Sequence, residues 1–211
     1  MARDSTGSTG SGCTGVNPMY AKRGESGYSR IPGDEYFTPR WCTEVLADTV
    51  TLPKSLWEPA VGTGAIAKVL KARGHYVFGS DIKDHGYPDT KVVDFLSLYP
   101  TLTIGHRAIV TNPPYDLAQE FVEHAMLQTQ MMDGMVCMLL RNEFDSASSR
   151  LHLFTDSAFV GKIVLTQRPN WTDSRKASPR HNFAWFIWDW TNKSAPTLRY
   201  QTKLYKTEER E

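Results

Sequence analysis

The chain has 211 residues, 40% of them hydrophobic, and a formal net charge of +1. That length suits one domain with a full core, and so even a charge balance excludes a global basic field, leaving any nucleic-acid contact to a local patch. Cys13, Cys42 and Cys137 form no metal or redox spacing, no apolar run could span a bilayer, and the N-terminus lacks a signal-peptide core, so the expectation is a soluble cytoplasmic protein with no metal and no membrane partner.

Residues 1–30 are rich in Gly, Ser and Thr and read as a mobile tail. The character changes at Tyr36-Phe37-Thr38-Pro39-Arg40-Trp41. Thr38 is expected to cap a helix whose first position is Pro39, with Trp41, Val45 and Leu46 as its apolar stripe through about Asp48. A capped helix start suits a carboxylate, although taken alone it is an ordinary helix start.

Residues 55–58 read as a short strand ending at Glu58. Pro59-Ala60-Val61-Gly62-Thr63-Gly64 follows, then a helix from about 64 to 73. A strand–glycine turn–helix lets a ligand approach the backbone closely. The spacing is neither the dinucleotide fingerprint nor the phosphate-binding P-loop. Glu58 at a strand end can hold a cation or an ammonium.

The run 75–82 is the next strand, with Asp81 and Ile82 at its end. Asp81 lies about one helix and one strand beyond Gly62, where an acid meeting ribose hydroxyls is expected in such folds. Residues 91–96 repeat the pattern, with Asp94 available to an adenine amino group and Phe95 or Ile82 to its face. Acids cap turns routinely, so each taken alone is weak.

Ala108-Ile109-Val110-Thr111 reads as a buried strand cut off by Asn112-Pro113-Pro114-Tyr115. A double proline forces a rigid, extended exit from the sheet. An exocyclic amine on a nucleobase is a poor nucleophile, because its lone pair is delocalised into the ring. The Asn112 side-chain oxygen and the Pro113 carbonyl can both accept from such an NH2, and Tyr115 can stack on the base.

A helix is expected from 117 to about 129, then a buried strand at 135–140 and a short helix around 146–154. Strands follow at 159–166 and 182–190, the second so aromatic that its rings are expected in the core or on the sheet face. Between them, residues 168–181 carry Arg168, Arg175, Lys176 and Arg180 against Asp173, with Trp171. This is the concentrated basic patch of the chain, and it reads either as a solvated hairpin loop or, at least as well, as a phosphate contact. Residues 191–211 read as a strand extension or a loose tail.

Taken in order, Tyr-Phe-Thr-Pro, Glu-Pro-Ala-Val-Gly-Thr-Gly, Asp81, Asp94-Phe95 and Asn-Pro-Pro-Tyr resemble the S-adenosylmethionine-dependent amino-methyltransferases of DNA. They are most similar to the adenine-specific group, over roughly residues 36–188. The resemblance implies an α/β, Rossmann-like class I methyltransferase fold: a seven-stranded, mostly parallel sheet with an antiparallel terminal hairpin and helices on both faces. It implies a catalytic domain at 31–200, between the 1–30 tail and a polar 201–211 tail. S-adenosyl-L-methionine would be held by Tyr36, Thr38, Pro39, Glu58, Pro59, Ala60, Gly62, Gly64, Asp81, Ile82, Asp94, Phe95 and Asn112. Asn112, Pro113, Pro114 and Tyr115 would be the catalytic tetrapeptide. Trp171 or Phe183 would be the late aromatic that packs a flipped adenine, and Arg175, Lys176 and Arg180 would contact DNA. The chain has no room for a separate recognition domain, so the basic loop, the tail or a second subunit of a homodimer must serve. Such compact forms suit a bacterial or phage-infected cell.

Competing expectations keep the reaction and change the target: cytosine N4, an RNA adenine or a protein glutamine amide. A catalytically idle nucleic-acid-binding module is a different class, opposed by the intact glycines, Asp81 and tetrapeptide.

Overall fold

The computed structural model describes residues 38–98, 105–171, 181–192 and 194–202, all within one compact unit. The 1–30 tail, Tyr36, Arg175, Lys176 and Arg180 lie outside the described residues. Strands β1 (Ser55–Glu58), β2 (Tyr76–Asp81), β3 (Lys91–Val92), β4 (Ala108–Thr111), β5 (Met135–Arg141), β6 (Phe159–Leu165), β7 (Phe183–Asp189) and β8 (Thr197–Gln201) form one sheet. The order is β3-β2-β1-β4-β5-β7-β6-β8. All pairings are parallel except those of β7 with β5 and β6.

Side chains alternate across a strand, and here the alternation sorts the core into two layers. Leu56, Ala108, Val110, Cys137, Leu139, Trp185 and Ile187 face one side, where α1 (Arg40–Thr49) and α2 (Ala65–Ala72) supply Leu46, Ile66 and Leu70. Trp57, Ile109, Val136, Met138, Leu140, Phe186 and Trp188 face the other, where α3 (Ala118–Gln130) and α4 (Leu151–Thr155) supply Phe121, Val122, Ala125 and Leu153. β5 and β7 are therefore apolar almost without interruption, as strands covered on both faces must be. Each fully buried Leu, Ile or Phe contributes about 1.5–3 kcal/mol. Trp185 and Trp188 keep their indole N–H groups satisfied on the Cys42 and Leu153 carbonyls, both at 2.8 Å.

Three expectations need correction. Thr38 does not cap α1: Pro39 occupies the cap position without a side-chain bond, and the Thr38 hydroxyl instead accepts from Asn112. The helix expected around 146–154 is a chain of short turns, two of them 3-10, ending in the five-residue α4. The sheet has eight strands, because β8 adds in parallel to the outer edge of β6. β8 is exposed at all five positions, so no burial pattern marked it. It approaches β6 where Gly161 sits at φ 133, at a register shift, and a Cβ there would overlap the Thr197 carbonyl oxygen.

β1, β2 and β3 run outward in one direction, and the chain then returns to place β4 on the other side of β1. That reversal opens a crevice at the carboxyl ends of β1 and β4, flanked by Glu58 and Asn112. Among the described residues no helix is long and apolar enough to cross a membrane.

Candidate active site

Glu58 ends β1 and is 2% exposed. Its carboxyl accepts from the Ala67 N–H in the first turn of α2, while Oε2 has no partner among the described residues. Burial pushes its pKa well above the usual carboxylate value, the nearby Asp81 charge adds to the rise, and the Ala67 bond opposes it. The turn that follows is pinned to β2: Val61 N–H donates to the Ser80 carbonyl and Gly62 N–H to Asp81 Oδ2, both at 2.9 Å. Gly62 and Gly64 adopt φ 51 and 80. A Cβ on Gly64 would overlap the ring of Tyr87, whereas one on Gly62 would meet open space.

Asp81 is thus a strap for the glycine turn. Its other oxygen accepts from Lys83 N–H at 3.3 Å and lies 3.8 Å from the His85 ring nitrogen. A carboxylate has four lone-pair sites, so capacity for a further donor remains. Ile82, next along, is exposed. Asp94 is exposed and accepts from Leu96 N–H at 3.0 Å, capping a 3-10 turn. Phe95 is buried among Trp57, Phe121 and His124, at ring separations of 4.7–5.2 Å, so its ring offers no face to a ligand.

Asn112 leaves β4 with its amide held crosswise. Nδ2 donates to Thr38 Oγ1 at 3.3 Å, which turns Oδ1 the other way, and Oδ1 is buried with no partner among the described residues. Pro114 holds φ −59 and ψ 126, and its carbonyl accepts from Leu117 N–H at 3.0 Å, so the extended exit is followed at once by a tight turn. The Tyr115 ring lies 5.5 Å from Phe183 and 6.4 Å from Trp171, with Trp171 and Phe183 4.7 Å apart. Both late aromatics therefore come to the tetrapeptide. Phe183 is fully buried and forms the floor, and Trp171 is half-buried. Beside Thr38, a depression of about 260 Å³ is lined by Arg40, Ala65, Lys68 and Val69.

Two neighbours of this crevice escaped the sequence reading. Tyr87 fills the notch behind Gly64, and nothing local in the sequence marks it. Arg141 lies over the Tyr115 ring, its Cζ 5.9 Å from the centroid. The first charge after six apolar residues of a buried strand is a signal that could have found it. Among the described residues no cluster of His, Cys, Asp and Glu could hold a metal ion.

No family model and no curated protein matches the chain by sequence. Solved structures do match it in fold. One is a modification subunit of a provisionally described type I restriction enzyme from Vibrio vulnificus YJ016, at 19% identity and TM-score 0.53, covering 84% of this chain and 49% of that one. Another, from Listeria monocytogenes, is provisionally described as a class I S-adenosylmethionine-dependent methyltransferase, at 14% identity and TM-score 0.59, covering 85% and 69%. A third belongs to a type I R-M system, at 17% identity and TM-score 0.53, covering 80% and 45%. The chain spans about half the length of the first and third. At these identities the likeness is one of fold, and the sheet order agrees with it: the chain has the Rossmann-like fold of the class I methyltransferases.

Proposed function

We propose that the chain is a methyltransferase that uses S-adenosyl-L-methionine to methylate the exocyclic N6 amino group of adenine in DNA. The observation that carries the reading is the Asn112 side-chain oxygen, buried and without a donor among the described residues at the carboxyl end of β4, beside a half-buried aromatic pair. A buried acceptor left unpaired costs about 1–3 kcal/mol, and a substrate NH2 would relieve that cost.

The residues present fit the cofactor. Glu58 Oε2 is a second orphaned buried acceptor, suited to an α-ammonium. Gly62 keeps open the space that a Cβ would fill, so a ligand can lie against the turn. Lys68 and Arg40 line the depression beside Thr38, where a carboxylate would find the Lys68 ammonium and an Arg40 guanidinium already engaged through Nε with Glu44. Asp81 retains acceptor capacity for ribose hydroxyls. Asp94 and the Phe95 main chain would meet the adenine, since the Phe95 ring is committed to the core.

When bound, the cofactor supplies a methyl group on a positively charged sulfur. The chain's own task is to present a nucleophile in line with it. Asn112 Oδ1 and the Pro113 carbonyl accept the two amino hydrogens, which fixes the nitrogen's orientation and favours the positive charge that develops on it. Tyr115 and Trp171 hold the base, with Phe183 beneath. A base in a duplex must be flipped out to reach this crevice, at a cost of a few kcal/mol. The alkylated nitrogen is acidic and releases its proton to water afterwards, so the tetrapeptide needs no strong base. Arg175, Lys176 and Arg180 would contact the phosphates, and a homodimer would supply a second recognition surface.

Radiolabelled methyl transfer to unmethylated duplex DNA, followed by nucleoside mass spectrometry, tests this directly. N6-methyladenine is the expected product. N4-methylcytosine would change the base, while label in RNA or a protein amide would overturn the DNA reading. Cofactor binding without transfer to any of these would favour the idle module.

A further inference from the structure

We infer that Arg141 is a further substrate-holding residue, whose guanidinium lies over Tyr115 and passes to a backbone phosphate when a base takes that face. The inference rests on the nucleic-acid reading of the site.

Arg141 is the last residue of β5 and the first in that strand to leave the core. It emerges at the carboxyl end of the strand beside β4, and its register partner across β7 is Phe183, the floor of the aromatic cluster. The main chain next to it is rigid. Asn142 N–H donates to the Asn182 carbonyl at 3.0 Å, and the Asn142 carbonyl accepts from Lys162 Nζ at 3.2 Å. Lys162 also holds Asp145 at 2.6 Å, one of the two carboxylates on the following turn, and the other, Glu143, is exposed. Among the described residues no carboxylate pairs with Arg141. A cation with no counter-ion among the described residues, at a strand end beside a ligand crevice, is matched to an anion.

The contact with Tyr115 makes the assignment more specific. At 5.9 Å from the centroid, the guanidinium lies over a face of the Tyr115 ring, where a base stacking on that side would have to sit. Entry of the base must displace it, and the nearest chemistry for a displaced arginine is the phosphate flanking that base. Arginine suits both positions, since its planar head stacks on a ring and also binds phosphate in a fork. Arg168 is anchored through Nε to Asn182 Oδ1 at 2.9 Å, on the residue preceding Phe183, and gives the same rim a second cation.

The test is the salt dependence of binding. Anisotropy of a labelled DNA duplex would be followed over a salt series, with S-adenosylhomocysteine present, for wild type, Arg141→Gln and Arg141→Lys. Loss of one phosphate contact lowers the slope of log K against log salt by about 0.9. The expected result is that fall in Arg141→Gln, recovery of the slope in Arg141→Lys, and unchanged melting and S-adenosylhomocysteine affinity in both. An unchanged slope in Arg141→Gln, or a fall that lysine does not restore, overturns the inference and leaves the methyltransferase reading standing. Absence of DNA binding by the wild type overturns both.

Discussion

Glu58 and Asn112 each keep a buried oxygen without a donor among the described residues, and they do so at the ends of neighbouring strands of one crevice. Such groups are expensive, and their side chains make opposite predictions. The folded pKa of Glu58 is raised above its ordinary 4.5 by burial, so the folded state holds its proton more tightly than the unfolded chain does. Its contribution to stability is therefore full below pH 4.5 and declines as pH rises toward the folded value. Glu58→Gln should melt higher than wild type at pH 7–8, with the gap closing toward pH 4.5. The same variant should bind S-adenosylmethionine about tenfold or more weakly, since a charge-assisted bond to the ammonium is lost. Ionisation of Glu58 on binding should release a proton, so calorimetric heats should differ between buffers of different ionisation enthalpy. Equal heats and equal affinity would remove Glu58 from the cofactor site. Asn112→Ala should abolish methyl transfer and leave cofactor affinity nearly intact by calorimetry. Loss of both together would make Asn112 a structural residue.

At the scale of elements, the glycine turn and the outer edge of the sheet each depend on left-handed backbone positions where a side chain is strained. Gly62 and Gly64 are two residues apart and both left-handed, yet their surroundings differ. Gly62→Ala should cost about 1 kcal/mol of stability, the left-handed penalty alone, and should weaken cofactor binding because its Cβ enters the ligand's space. Gly64→Ala adds an overlap with the buried Tyr87 ring, and about 2–4 kcal/mol is expected in chemical denaturation. Equal costs at the two positions would show that Tyr87 yields freely. Gly161→Ala would push on the Thr197 backbone, so β8 must move away from β6. β8 buries none of its residues, and its loss forfeits a hydrogen-bond ladder together with the bonds from Arg199 to the Thr49 carbonyl and from the Thr166 hydroxyl to the Gln201 carbonyl. About 1–3 kcal/mol is expected, with faster amide exchange confined to 161–165 and 197–201.

For the whole molecule, the sheet order decides where chemistry can occur. Glu58, Asp81, Asp94 and Asn112 are widely spaced in the chain, and all four lie at or just beyond carboxyl ends of parallel strands. They converge because right-handed crossovers return every parallel strand to the same end, and because the reversal at β1 and β4 leaves a gap there. The antiparallel β7 brings Phe183 and the stem carrying Trp171 to that end as well. The methyl-transfer assay therefore tests the assembled crevice, while the variants above test its parts.

Strand identity and the two-sided core were legible in the residues themselves. β-branched and aromatic runs bounded by Gly, Pro and Asn specify buried strands locally, and the glycine turn and the double proline announce their own backbone geometry. Tertiary structure alone decided the rest, because those features rest on partners far apart in sequence. Thr38 gives up a helix cap to meet Asn112, 74 residues away. Tyr87 packs against a glycine on another element, and β8 pairs with β6 without burying a side chain. Arg141 meets Tyr115 only because β4 and β5 lie side by side. Local chemistry fixes what a segment can be, and only the packed sheet determines which of its polar groups are left facing the crevice.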